Sequence, residues 1–131
     1  IGNTMALVSE NLRAAAAATL HTITPTYGGG TVTADQINGS ATDLAQVEIV
    51  NTNNPSSTVY VKLYNSTSAN LSLGSTTPQM VLPCPGGATV TYIIPQEVSF
   101  STALSVVAVT AGGTAGTTSM ASSVTVKLLQ G

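Results

Sequence analysis

The sequence predicts an all-β fold: an antiparallel β-sandwich, jelly-roll-like, with an N-terminal arm or short helix. Three observations carry that expectation. β-branched runs with period-two alternation recur from Ala41 onward. Gly, Pro, Asn and Ser clusters separate them at short intervals, as in sandwiches and barrels. No long helical pattern lies between the runs, which excludes an open α/β fold.

The chain has 131 residues, enough for one hydrophobic core and too few for two. Residues 1–30 differ from the rest and are read as an arm, with residues 31–131 as the β-sandwich body. Ser9 is placed to N-cap a short helix through Leu12 and the alanines 14–18. An isolated helix of that length is marginal, so an extended arm lying on a neighbour is an equal reading. A first strand and helix folded onto the same chain's sandwich is the alternative. Met5 fits a natural start as well as an internal methionine. Thr22-Ile23-Thr24 reads as a short strand, ended by Pro25 and the run Gly28-Gly29-Gly30.

In the body, Leu44 to Val50 is a strand. Thr58 to Tyr64 is another, with Val59, Val61 and Leu63 on one face and Tyr60, Lys62 and Tyr64 on the other. Asn51 to Ser57 is expected to join these two as an antiparallel hairpin. Further strands are expected at Gln79–Leu82, Thr89–Ile94, Leu104–Thr110 and Val124–Leu129, with a short one at Val98–Phe100. Pro83, Pro85, Gly86 and Gly87 read as a turn. Pro95 should end TVTYII, because proline cannot donate to a ladder. Ala111 to Ser119 reads as a hairpin tip. Phe100 is the only phenylalanine and tryptophan is absent, so the core is built from aliphatic side chains.

Charge is scarce. Charged residues make up 6% of the chain, against roughly 25% in ordinary soluble domains. Such a surface is poorly protected against self-association. Arg13, Lys62 and Lys127 cannot track a phosphate backbone, so nucleic acid is not an expected partner. No run of about 18 apolar residues offers a membrane helix, so a membrane partner is not expected either.

Chemistry-bearing constellations are thin. His21 is the only histidine and has no acid near it in sequence, as a serine triad would require. The acids stand in no aromatic setting that would grip a sugar. Asp35 and Asp43 read as turn formers in TADQINGSATD, with too few neighbouring acids for calcium. Cys84, the single cysteine, reads as a small buried hydrophobe. The triple glycine lacks the Lys and Ser/Thr of a phosphate loop. No catalytic, metal or cofactor site is therefore expected. Apolar Met5, Leu7, Val8 and Leu12, with the tyrosines Tyr27, Tyr60, Tyr64 and Tyr92, are the candidate contacts to other subunits or a larger surface.

One stretch has a family likeness. Lys62-Leu63-Tyr64-Asn65, Thr77-Pro78, Pro83, Pro85 and Gly87, then Phe100-Ser101-Thr102-Ala103-Leu104, resembles a module of tailed-bacteriophage structural proteins. These are the capsid decoration (cement) and head-fibre-like proteins. Ala103 departs from the glycine frequent in that pattern. The resemblance implies a β-sandwich on the outer surface of an assembled phage head, often a trimer, with the major capsid protein and its own copies as partners. It leaves open a head-fibre or tail-associated role. A secreted adhesin or carbohydrate-binding module is the alternative from another class, and an esterase or glycosidase ranks last.

Overall fold

The structure is a computed structural model and describes residues 19–25 and 31–131. Within them eight strands form: β1 (Thr19–Ile23), β2 (Asp35–Asn38), β3 (Thr42–Val50), β4 (Val59–Tyr64), β5 (Met80–Cys84), β6 (Thr89–Phe100), β7 (Leu104–Val109) and β8 (Thr125–Gln130). They build two antiparallel four-stranded sheets, β1-β8-β3-β6 and β2-β7-β4-β5. No α-helix occurs among the described residues, and the all-β sandwich is the fold of this protein.

The alternation read from the sequence explains the core. In the second sheet Val59, Val61 and Leu63 of β4 point inward beside Leu104, Val106 and Ala108 of β7. From the first sheet, Val47 and Ile49 of β3 meet Val126 and Leu128 of β8 within the same cluster. Phe100, Met120 and Cys84 fill the remaining space, all nearly inaccessible. Burial pushes the Cys84 thiol up from its ordinary range, which keeps it a neutral core group.

Several expected connections are different in the structure. The strands on either side of Asn51–Ser57 do not pair: β3 bonds β6 and β8, whereas β4 bonds β5 and β7. The loop crosses between sheets instead. Its two buried asparagines hold it there. The Asn51 amide donates to the Ser57 carbonyl (2.8 Å) and the Cys84 carbonyl (3.2 Å). The Asn54 amide donates to Asn51 Oδ1 and to the Ser122 carbonyl, both at 3.0 Å. Gly86 completes the joint, since a Cβ there would lie 2.7 Å from the Pro55 carbonyl oxygen.

Ala111–Ser119 is likewise not a hairpin tip. It begins the crossover from β7 in one sheet to β8 in the other. Pro83 lies within β5, not in a turn, and is tolerated because β5 is an edge strand. Pro95 does not end β6 either. It sits where the β3–β6 register shifts: Gln46 faces Ile93, while Leu44 faces Val98. β6 is also an edge strand, and Glu97 takes φ 56° within this bulge. Asp35 opens β2 and Asp43 belongs to β3, so neither is a turn former.

The boundary at residue 30 also moves. β1 pairs along its length with β8, Ile23 packs against the core, and the Val124 amide donates to the Pro25 carbonyl at 3.1 Å. Residues 19–25 therefore belong to the sandwich. The expected helix or arm over residues 1–18 lies outside the described residues.

Candidate attachment surface

The outer faces of the two sheets are built differently. On the β2-β7-β4-β5 sheet the outward residues of β4 are Tyr60, Lys62 and Tyr64, as the alternation predicts, but the chain covers them itself. Tyr64 is 1% exposed and clusters with Val107 and Val109, against which Val32, Leu71 and Leu73 pack. Lys62 is fully buried. Its ammonium donates to the carbonyls of Gly113 (2.5 Å) and Gly116 (2.8 Å), which pins the β7–β8 crossover over the sheet. Loss of water there pulls the lysine below its ordinary range. Tyr60 is half-buried against the same crossover, where a Cβ on Gly112 would lie 3.0 Å from its ring.

Tyr64 was expected at a contact surface and is a correction: its ring serves a second, outer core. A groove of ≈ 400 Å³ on this side is lined by Val32, Thr33, Ala34, Ser68, Leu71 and Leu73.

Tyr92 occupies yet another place. Its row on β6 faces the interior, and its hydroxyl donates to the Pro83 carbonyl at 2.5 Å. It therefore ties together the β6 and β5 edges of the sandwich. The opposite edges carry His21 on β1 and Asp35 on β2. Partial desolvation lifts the Asp35 carboxyl above the usual carboxylate range, and the nearby His21 charge pulls it back down. Sequence distance hid this electrostatic influence; the topology makes it. Among the described residues no three of His, Cys, Asp or Glu gather in a group able to hold a metal ion. Met5, Leu7, Val8, Leu12 and Tyr27 lie outside the described residues.

The KLYN and FSTAL segments are scaffold. Lys62 and Tyr64 act as above. The Asn65 side chain accepts from the amides of Thr102 (2.8 Å) and Ala103 (3.3 Å), and donates to the Ser101 hydroxyl at 3.0 Å. This bond set joins the KLYN segment to FSTAL, and Phe100 and Leu104 on either side are fully buried.

By contrast, no loop among the described residues closes over the outer face of the β1-β8-β3-β6 sheet. Cross-strand register aligns Leu20, Leu129, Gln46 and Ile93 in one row across all four strands. The ends of that row are open, Leu20 at 62% and Ile93 at 71% exposure. The next row is Thr22, Lys127, Glu48 and Thr91, with Lys127 Nζ 3.6 Å from Glu48 Oε1. Covering an aliphatic side chain of this size is worth about 2 kcal/mol, whereas the exposed ion pair contributes at most about 1 kcal/mol. The face thus favours contact over solvation. Sequence reading missed it because Leu20 and Ile93 stand far apart along the chain, and only the sheet order unites them.

No known protein family, curated protein or solved structure matches the chain.

Proposed function

We propose that this protein is a structural virion component, a capsid decoration (cement) protein that binds the outer surface of an assembled phage head. On this reading it works by contact and not by catalysis, and its partners are the major capsid protein and copies of itself. The outer face of the β1-β8-β3-β6 sheet, which no described loop covers, carries the proposal. It offers a nearly charge-balanced surface with two open aliphatic side chains, suited to contacts between copies of the protein, whose many weak attachments gain strength on a lattice.

The strand order supports the same reading. Six of the seven connections between the described strands cross from one sheet to the other, the exception being β4 to β5. We take this alternation as jelly-roll-like, an architecture frequent among viral coat domains. The motif residues Lys62, Tyr64 and Asn65 add support, because each has a structural task that any protein built on this module would need.

Electron microscopy of phage heads with and without the protein tests the proposal. Added density repeating over the outer surface of the head is expected. Heads identical in the two samples, or density confined to the tail, would reject it.

A further inference from the structure

We infer that the outer face of the β1-β8-β3-β6 sheet pairs with the same face of a second copy about a two-fold axis. The inference rests on reading the chain as an assembly component with its own copies as partners, and it gives that self-contact a surface and a symmetry. It assigns a pair where the family likeness implies a trimer.

Self-complementarity is the argument. A surface that meets itself must present, at each position, what its own opposite position needs. Consider a two-fold axis lying in the interface, parallel to the strands and between β8 and β3. Rotation about it sets β8 of one copy over β3 of the other, and β1 over β6. It leaves positions along the strands unchanged. Leu20 of one copy then meets Ile93 of its partner, at both ends of the interface. Those two residues are the most exposed large apolar side chains among the described residues. In the adjacent row Lys127 meets Glu48 of the second copy, again twice. The two charges that form one ion pair within a subunit become an alternating set of four across the contact, with no like charges opposed. Leu129 meets Gln46, a half-buried pair at the centre of the row.

The same operation on the other sheet has nothing to join. Its outward tyrosine and lysine already lie beneath the chain's own loops. Two sheets packed face to face stand about 10 Å apart with their strands nearly aligned, which suits the parallel axis. The four strands, spaced about 4.8 Å apart, span a contact of ordinary sheet width.

Complementary charge variants test the pairing on the isolated protein. Lys127→Glu makes the central row wholly acidic, and Glu48→Lys makes it wholly basic. Sedimentation equilibrium of the unaltered chain should give twice the chain mass. Each variant alone should give the chain mass, and an equimolar mixture of the two should return to the double mass. Circular dichroism and thermal melts of each variant establish that its sandwich is intact. Ile93→Ser, which opens the apolar end of the neighbouring row without adding a charge, should also give the chain mass. A monomeric or trimeric unaltered chain would overturn the inference. So would charge variants that remain double, or a mixture that stays single. None of these outcomes bears on head binding, which the microscopy reads separately.

Discussion

The two sheets are alike in strand number and antiparallel pairing, yet their outer faces have opposite fates. Around β4 the outward side chains are large, and the chain closes over them with the crossover after β7 and the segments bearing Val32, Leu71 and Leu73. Around β8 and β3 nothing in the described residues covers the outward rows, and Leu20 and Ile93 stay open. The difference teaches where an apolar side chain signals stability and where it signals contact. A buried outer tyrosine serves the fold, while the exposed leucine and isoleucine that end one cross-strand row are free for the contact proposed above.

Substitutions on the two faces should separate these roles. Tyr64→Ala should cost about 3–5 kcal/mol in urea denaturation, the usual range for emptying a large aromatic site. A cost below about 1 kcal/mol would mean that the outer cluster adds nothing to the fold. Lys62→Ala comes next, at about 2–3 kcal/mol, because it strips two carbonyls of their charged donor and opens space beneath the crossover. Lys62→Met retains the stem, so the part of the loss it restores measures packing and the remainder measures the hydrogen bonds.

Asp35→Asn should act weakly, in the opposite direction and with a pH signature. The folded carboxyl has a raised pKa, so its protonated form is the one the fold favours. Its contribution is fully present below the unfolded carboxylate value and is lost as pH rises through the folded one. At neutral pH the asparagine variant should therefore melt slightly higher than the parent, and the gap should close as the pH falls through the folded value. An unchanged gap across that window would place the effect elsewhere. Ile93→Thr should be the mildest change, within about 0.5 kcal/mol of the parent in monomer stability. A larger loss would show that this face contributes to the fold after all.

Much of the fold was legible in local pattern. VYVKLY alternates so regularly that its inward face follows from period two alone, and LSVVAV and TVKLL mark β7 and β8 just as clearly. β2 was not legible, because DQIN has one aliphatic residue and pairs with a register shift. The expected β3–β4 hairpin failed for a different reason. Closeness in sequence argued for pairing, but the asparagines of the intervening loop bond to carbonyls on distant segments, and those bonds direct the chain into the other sheet. Asn51 and Asn54 were visible as turn formers; which carbonyls they would reach was not. Lys62 shows the same limit, since only the path of a later crossover makes an outward lysine a buried one. The outer face of the β1-β8-β3-β6 sheet was hidden most completely, because its rows draw single residues from four strands that the sequence does not place side by side.

The position of β8 has a consequence for synthesis. It lies between β1 and β3, so the last of the eight strands to leave the ribosome occupies an interior place in its sheet. Until then, among the described strands, β1 has no partner and β3 keeps one edge unsatisfied. The nascent protein can form the β4–β5 hairpin early, but it must wait for residues 125–130 before the sandwich closes. A ribosome stalled short of that point would display a sticky, half-finished sheet. Making this protein is therefore a race between finishing translation and finding the wrong neighbour.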